Sequence, residues 1–162
     1  MNHINSSFTI SEQTYSISSL EEDNLEFIRK LKNRNRNAFF AQSYISKSAQ
    51  REWFEAYRDR EYDTIFILSN EAQYVGCMGI RKEKNEWDLY NVLIAKGEHS
   101  GQGVMSAFLR KIVNYQLTIE DLPVRARVLT QNTAVQWYYK NNFVIESDEK
   151  EYIVMRYSGE IS

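Results

Sequence analysis

Apolar residues recur along the chain with two different periods, and these periods predict the secondary structure. Spacings of three and four residues indicate amphipathic helices, whereas alternation and short β-branched runs indicate strands. Ser19 and Glu22 read as a capping box that opens the first helix, and the polar run at residues 32–37 ends it. The predicted helices cover residues 20–31, 47–59, 104–115 and 134–140. The predicted strands cover residues 14–18, 64–69, 74–81, 86–94, 124–129, 143–145 and 152–157.

The order of these elements predicts one mixed α/β domain that spans residues 1–162 and has a meander of strands at its centre. No linker rich in proline or glycine divides the chain, whose single proline is Pro123. A chain of 162 residues is long enough to bury one sizeable hydrophobic core. The first twelve residues are rich in serine, threonine and asparagine, so we expect residues 1–12 to be flexible.

Charge and composition narrow the classes of function. The net charge of −2 gives no overall attraction to nucleic acid or to an anionic membrane, so neither is expected as a partner. Cys77 is the sole cysteine, which excludes an intramolecular disulfide, and His3 and His99 lack the spacing of a zinc site, so we predict no metal. The N-terminus has no apolar signal-peptide core, and no apolar run approaches the roughly 20 residues of a spanning helix. We therefore expect a cytoplasmic protein.

The segment before the third predicted helix combines two glycines with a helix start. Gly101 and Gly103 let the backbone turn sharply and leave its N–H groups accessible. These donors lie at the positive end of the helix dipole, which suits an anion such as a pyrophosphate. The alternative is that the two glycines only shape a tight turn. The segment is neither a P-loop, since no Gly-Lys-Ser/Thr follows, nor a complete three-glycine dinucleotide motif.

A second motif in the C-terminal half contains Asn132, Tyr138 and Phe143. With the glycine segment before it, the chain resembles the GNAT superfamily of acyl-CoA-dependent N-acyltransferases, which carries both motifs in this order. The order of elements is also similar to that family over nearly the whole chain. The resemblance implies a three-layer α/β fold, in which about four helices flank a mixed, mostly antiparallel sheet of about six to seven strands.

Three residues depart from the family pattern. Ser100 stands where arginine or glutamine is usual, which removes one side-chain contact to phosphate but leaves the backbone donors. Met105 stands where glycine or alanine is usual, and it is bulky at a site of close approach. Asn142 replaces a glycine, and asparagine tolerates the left-handed conformation that a helix end often needs.

The resemblance implies that acetyl-CoA is the acyl donor and that a substrate amine attacks its thioester directly. Backbone amides would hold the diphosphate, and the strand before them would hold the pantetheine arm. The residues implied for cofactor binding are Leu93, Ile94, Gly101, Gln102, Gly103, Val104, Met105, Ser106 and Asn132. Asn132 could instead cap the short helix that follows it. Cys77 lies in an apolar strand without an obvious base, so we expect a buried structural thiol rather than a nucleophile.

Tyr138 matches the family tyrosine that protonates the departing thiolate, a step that suits a phenol with a reference pKa of about 10. The alternative is that Tyr138 only packs the short helix. Asp88 and Glu86 are the candidates for the base that deprotonates the amine, with Asp88 preferred because it lies deeper in the strand. The alternative for each is a surface carboxylate. Strict alternation along their strand would place both on one face with Tyr90 and Val92.

The acceptor is expected at the first two helices and the loop between them. This loop alternates basic and amide side chains and then carries two phenylalanines. It is similar to sugar-directed members of the superfamily, which acetylate nucleotide-linked amino sugars. The residues predicted for acceptor binding are Arg34, Asn35, Arg36 and Phe39. The alternative for this loop is a solvated basic surface.

Other functions stay open at this point. The protein could acetylate a protein N-terminus or a lysine side chain. A polyamine or aminoglycoside acceptor would call for a carboxylate-rich cleft, and the acids near the first helices amount to Glu21, Glu22 and Asp23. A module that binds CoA without catalysis is the alternative from another class. We expect a monomer or a homodimer.

Overall fold

The computed structural model describes residues 6–40, 43–71, 73–95, 101 and 103–159. Within these ranges the strands are β1 (Ser6–Ile10), β2 (Gln13–Ser19), β3 (Asp63–Asn70), β4 (Gln73–Glu83), β5 (Glu86–Ile94), β6 (Val124–Leu129), β7 (Phe143–Asp148) and β8 (Tyr152–Tyr157). The α-helices of the same ranges are α1 (Leu25–Arg34), α2 (Lys47–Arg58), α3 (Val104–Ile119) and α4 (Ala134–Lys140). Short 3-10 turns at Glu22–Asn24 and Arg36–Ala38 flank α1.

The eight described strands form one sheet in the order β1-β2-β3-β4-β5-β6-β8-β7. Neighbouring strands run antiparallel except β5 and β6, which run parallel. This confirms the mixed, mostly antiparallel sheet that the family resemblance implies, although the number of strands is slightly higher than expected. The extra strand is β1.

Strand β1 forms in a segment that the sequence predicts to be flexible. It pairs with β2, and Phe8 stacks on Tyr15 with ring centroids 5.3 Å apart. The turn between the two strands consists of Ser11 and Glu12, with φ angles of 51° and 67°. Two-residue hairpin turns with positive φ usually contain asparagine or glycine. Because neither residue is present here, the sequence carries no hairpin signal at this position.

The apolar run in β3 shows why the sheet is covered on both faces. Successive side chains of a strand point to opposite faces. Phe66 and Leu68 accordingly belong to a core beneath α3 and α4, whereas Ile65 and Ile67 belong to a second core beneath α1 and α2. The sheet therefore lies between two helical layers, as the predicted three-layer fold requires.

The helices follow the prediction closely, with one correction at the first. Helix α1 begins at Leu25, after a 3-10 turn in which the backbone N–H of Glu21 donates to Oδ1 of Asn24 at 2.8 Å. The cap therefore uses Glu21 and Asn24, two residues later than the predicted pair of Ser19 and Glu22. None of the described helices combines the length and the apolar character needed to cross a membrane.

Candidate functional site

Strands β5 and β6 are bonded to each other over a short stretch only. The pairs join Trp87 to Val124, Asp88 to Arg125 and Leu89 to Ala126. Beyond these pairs β5 continues to Ile94 and β6 to Leu129 without bonding to each other. A gap therefore opens in the middle of the sheet, and the edge of β5 that borders it can accept an extended ligand as an added strand.

A β-bulge lies in β5 at this gap. Cys77 pairs with Leu93 and Gly79 pairs with Tyr90, so β5 has one residue more than β4 between these two pairs. Asn91 lies within the bulge with a φ of 51°, a conformation that asparagine tolerates better than most residues.

The bulge reverses the alternation of side chains along β5. Tyr90 packs against the core beneath α1 and α2, whereas Val92 packs against the core beneath α3 and α4. The prediction that Val92 shares the face of Asp88 and Tyr90 is therefore wrong. It assumes an unbroken strand, and the inserted residue shifts the pattern by one.

A cavity of about 550 Å³ occupies the gap, a volume typical of sites for small ligands. It is bounded by β4, β5 and β6, by α1, α2, α3 and α4, and by the segment 38–40. Its larger apolar lining residues are Phe39, Phe40, Trp53, Met105 and Trp137. Its charged and polar lining residues include Lys32, Arg60, Arg81, Glu83, Asp88, Arg127, Asn132 and Tyr138.

The cavity brings together part of the predicted site. The predicted residues that line it are Phe39, Asp88, Leu93, Ile94, Met105, Asn132 and Tyr138. The described residues that were predicted for the site but do not line the cavity are Arg34, Asn35, Arg36, Glu86, Gly101, Gly103, Val104 and Ser106. Gln102 lies outside the described residues, and so do Ser100 and His99.

The glycine turn leads directly into α3. Gly101 and Gly103 have φ angles of 75° and 78°, and a Cβ on either would meet no atom within 4 Å. Glycine is therefore required here by the backbone conformation and not by crowding. The N–H of Ala107 donates to the carbonyl of Gly103 at 3.0 Å, so the amides of residues 104–106 precede the first helical hydrogen bond. These are the donors that an anion could use.

The bulky side chain of Met105 is accommodated within the core. Met105 is buried and packs on Gly76 in β4, the strand that pairs with β5 on the side away from the gap. The glycine provides the space that the sulfur fills. Met105 is larger than the residue usual at this position, but its side chain is packed into the core and does not crowd the start of α3.

Tyr138 lies on the inner face of α4 with 6% of its surface exposed, whereas its neighbour Tyr139 is 64% exposed. Its ring contacts Phe143 and Trp137, with centroids 5.2 Å and 5.0 Å away. Burial raises the pKa of Tyr138 well above the ordinary value of a phenol, and the negative charge of Asp88 raises it further. The hydroxyl therefore keeps its proton at neutral pH and borders the cavity as an acid.

Asp88 is 5% exposed and accepts hydrogen bonds from two arginines. Its Oδ2 accepts from Nε of Arg81 at 3.0 Å, and its Oδ1 accepts from Nη1 of Arg127 at 3.1 Å. Burial raises the pKa of Asp88, and the arginines oppose this shift. The result is a carboxylate held in a fixed position at the cavity wall.

Glu86 is placed differently from Asp88. Its two oxygens accept from Nη1 of Arg125 and from Nη2 of Arg127, each at 2.8 Å. Arg125 continues the network to Glu146 on β7, with Nε at 2.7 Å from Oε2. Glu86 is therefore part of a network of ion pairs across β5, β6 and β7 and does not reach the cavity.

Cys77 is buried, and its Sγ donates to the carbonyl of Asn91 at 3.3 Å. Burial raises the pKa of this thiol to about 12. A thiol that stays protonated is a poor nucleophile. The geometry therefore agrees with the predicted structural role.

Sequence reasoning did not identify the basic residues of the cavity. Lys32 comes from α1, Arg60 follows α2, Arg81 comes from β4 and Arg127 from β6. No local pattern connects positions so far apart in the chain, because only the fold brings them together. For Arg81 and Arg127 there is one local signal, which is a charged residue within a largely apolar strand.

Comparison with known proteins identifies the type of domain. Residues 17–142 match the profile of the acetyltransferase (GNAT) domain. A comparison with curated proteins finds no significant match.

Solved structures share the fold at low sequence identity. Spermidine N-acetyltransferase from Vibrio cholerae, solved with CoA and spermine, is 22% identical with a TM-score of 0.72, over 88% of this chain and 92% of that one. A domain from Methanocaldococcus jannaschii is 13% identical with a TM-score of 0.77, over 89% and 97%. FdhC, described as a nucleotide-linked sugar GNAT, is 18% identical with a TM-score of 0.73, over 94% and 90%.

Proposed function

Because the chain belongs to the GNAT acetyltransferase family, we propose that it transfers the acetyl group of acetyl-CoA to the amine of a small molecule. One observation carries this proposal: a protonated phenol and a buried carboxylate, those of Tyr138 and Asp88, line one cavity in the gap between β5 and β6. These are the groups that amine acetylation needs, since one proton must leave the amine and another must reach the departing sulfur.

The residues around the gap fit acetyl-CoA. The edge of β5 at residues 90–94 offers backbone groups to the pantetheine arm, as an added strand would use them. The start of α3 offers the amides of residues 104–106 to the diphosphate. Asn132 uses Oδ1 to cap α4, where it accepts from the N–H of Ala134 at 2.9 Å. Asn132 also lines the cavity, so its Nδ2 group is available as a donor to the coenzyme and the two interpretations of this residue are compatible.

The chain's own groups can move both protons. Asp88 accepts the proton of the attacking amine, directly or through one water molecule. A carboxylate offers about four lone-pair positions, and the two arginines occupy one on each oxygen. Tyr138 donates its hydroxyl proton to the sulfur as the carbon–nitrogen bond forms and the carbon–sulfur bond breaks. No covalent intermediate on the protein is needed, which agrees with the burial of Cys77.

The cavity favours a small acceptor over a peptide. Phe39 and Phe40 line it from the segment after α1, and Phe40 contacts Tyr152 of β8 with ring centroids 5.6 Å apart. This contact joins the helical side of the cavity to the far side of the gap. An extended peptide would have to displace it, whereas a small molecule would not.

Among small acceptors, the nucleotide-linked amino sugar remains the leading candidate. The shared fold with FdhC supports it, and so do the basic residues of the cavity. The predicted residues Arg34 and Arg36 do not supply these contacts, because neither lines the cavity. The fold is equally shared with a spermidine acetyltransferase, but four basic side chains against the two acidic ones of Glu83 and Asp88 leave the cavity wall with a positive balance, which opposes a polycation.

The proposal is tested by measuring CoA release from acetyl-CoA with a panel of amines. We expect Tyr138→Phe to lower kcat by about 10²-fold or more while the KM for acetyl-CoA changes less than about twofold. Tyr139→Phe is the matched control on the exposed face of α4 and should keep the rate of the wild type. Acetyl-CoA binding without release by any amine would instead favour a CoA-binding module without catalysis.

A further inference from the structure

Lys32 enters the cavity from the last turn of α1 without an acidic partner among the described residues. Its Nζ lies 5.2 Å from the centroid of the Phe39 ring, and no described carboxylate lies within ion-pair distance of it. Burial lowers the pKa of Lys32, and the positive charge of Arg81 lowers it further. A partly desolvated ammonium group beside a second cation is unfavourable unless an anion joins them.

Arg81 presents the free part of its guanidinium group to the same space. Its Nε donates to Oδ2 of Asp88 at 3.0 Å and lies 3.1 Å from Oε1 of Glu83. No described residue accepts a hydrogen bond from its two terminal nitrogens. These carry four of the roughly five N–H donors of the side chain, in the planar arrangement that binds carboxylate and phosphate with two parallel hydrogen bonds.

The orientation of Arg81 is fixed in advance by Tyr90. The guanidinium carbon lies 4.2 Å from the centroid of the Tyr90 ring. The ring covers Gly79 so closely that a Cβ there would lie 2.7 Å from it, and its hydroxyl donates to Asp63. Asp63 is itself paired with Arg60, with Oδ2 and Nη1 3.0 Å apart. A guanidinium held in this way loses little freedom when it binds an anion.

This basic pair is remote from the expected diphosphate site. Arg81 pairs with Asp88, and Asp88 precedes Ile94, the end of β5 before the glycine turn, by six residues. One of these six is the residue inserted by the bulge, so at about 3.3 Å per residue the span is roughly 17 Å, the length of the facing stretch of β4 from Arg81 to Gly76. An anion bound by Arg81 is therefore not the diphosphate at the start of α3.

We propose that Lys32 and Arg81 form a subsite for an anionic group of the acceptor, a carboxylate or a phosphate. The inference rests on the acetyl transfer proposed above and narrows its acceptor to an amine that also carries negative charge. Such an acceptor would be anchored by its anion while Asp88, hydrogen-bonded to Arg81, receives the proton of its amine. A polyamine would place further positive charge beside two cations.

The subsite is tested by calorimetry with the full chain in the presence of saturating CoA, so that the diphosphate site is already filled. Uridine diphosphate and succinate serve as phosphate and carboxylate probes. We expect the wild type to bind at least one of them, and the one with the higher affinity identifies the anionic group. Lys32→Gln should weaken this binding by about tenfold or more. Arg81→Lys, which keeps the charge but loses the planar donors, should weaken it as well.

Lys30→Gln is the matched control, because Lys30 lies on the same helix, is exposed and pairs with Glu26 at 3.9 Å. It should bind the probe as the wild type does, and all variants should bind CoA equally. The subsite would be refuted if neither probe binds, if Lys32→Gln binds as tightly as the wild type, or if Lys32→Gln loses affinity for CoA. If no acetyl transfer is observed but the probe still binds and this binding depends on Lys32, the proposed reaction is refuted and the anion subsite is supported.

A kinetic comparison completes the test. We expect glucosamine 6-phosphate to be a better acceptor than glucosamine, or glycine to be better than glycinamide, by kcat/KM. Lys32→Gln should reduce that preference through KM, whereas Lys30→Gln should not. Equal kcat/KM values within both pairs for the wild type would contradict an anionic acceptor even if acetyl transfer itself is observed.

Discussion

Met105 packs against Gly76, where a Cβ would lie 3.2 Å from the Met105 sulfur and 2.6 Å from the carbonyl oxygen of Leu93. The unusually large residue at the start of α3 is thus matched by a missing side chain on β4. The pair explains how the helix start stays close to the sheet despite a methionine at that position.

The first prediction concerns this contact. Gly76→Ala should lower the free energy of unfolding by about 1–3 kcal/mol, because the added methyl group must displace Met105 and the backbone at Leu93. Urea denaturation measures the change. Met105→Ala in the same chain should not restore full stability, since the backbone contact of 2.6 Å persists. A Gly76→Ala variant as stable as the wild type would show that the packing is looser than described.

The second prediction separates the two carboxylates of β5. A protonated Asp88 cannot accept a proton, so kcat/KM of the wild type should fall as the pH falls through its raised pKa. Asp88→Asn should lower kcat/KM by about 10²-fold or more and abolish this acidic limb of the pH profile.

Glu86→Gln is its control, because Glu86 also pairs with Arg127 but does not line the cavity. Glu86→Gln should keep the acidic limb of the pH profile, and its kcat/KM should stay within a few-fold of the wild-type value. Unchanged CoA binding by calorimetry shows that each variant is folded. An Asp88→Asn variant with wild-type turnover would exclude this residue as the base.

The third prediction concerns stability at alkaline pH. Burial raises the pKa of Cys77 to about 12 from 9.0 and that of Tyr57 to about 12 from 10.0. Between the unfolded and the folded pKa of each group, the folded chain binds more protons than the unfolded chain. The free energy of unfolding must therefore fall as the pH rises through this range. The stabilisation is fully present below pH 9 and is lost toward pH 12, by about 1 kcal/mol per pH unit for each group.

Urea midpoints measured from pH 8 to pH 11 check this dependence. Cys77→Val removes one titrating group while keeping the side chain apolar and similar in size. Its stability should therefore fall less steeply with pH than that of the wild type. Parallel pH dependences for the two proteins would show that the Cys77 thiol does not contribute.

The fourth prediction concerns the segment over the cavity. The Asn33 side chain pairs with both backbone groups of Ile45, accepting from its N–H at 2.8 Å and donating to its carbonyl at 3.0 Å. Arg29 donates to the same carbonyl at 3.1 Å. These bonds tie α1 to the chain before α2 and so position Phe39 and Phe40.

Asn33→Ala should therefore raise the KM for the acceptor several-fold and leave the KM for acetyl-CoA unchanged. It should also lower the free energy of unfolding by about 1–3 kcal/mol, because the N–H of Ile45 loses its acceptor and its carbonyl keeps only the hydrogen bond from Arg29. Asn114→Ala, an exposed position on α3, is the control and should match the wild type in all three measurements. Equal changes in both KM values would contradict a local effect on the acceptor side.

The sequence predicts those features of the fold that depend on short-range pattern. The limits of β5 and the helical stretches α2, α3 and α4 follow from periodicity and helix-start signals. The two motifs around Gly103 and Tyr138 also lie where the family resemblance puts them, at the start of α3 and on α4.

The features that sequence reasoning missed depend on geometry that no local pattern encodes. The hairpin at Ser11 uses residues that are rare in its conformation, and the bulge at Asn91 inserts one residue without a glycine to mark it. The cluster of Lys32, Arg81 and Arg127 comes from three elements that are neighbours only after folding. Asp88 differs from Glu86 in its hydrogen-bond partners and in its position at the cavity, and the sequence shows neither property.

The short contact between β5 and β6 has a thermodynamic consequence. Only three residue pairs join β5 to β6. The sheet therefore consists of two parts, β1 to β5 and β6 to β8, whose backbone hydrogen bonds are nearly independent. Local opening should begin at this seam, so its amides should exchange with deuterium sooner than those of β3 and β4. A molecule bound in the gap would contact both parts of the sheet, slow that exchange and make the two parts unfold together.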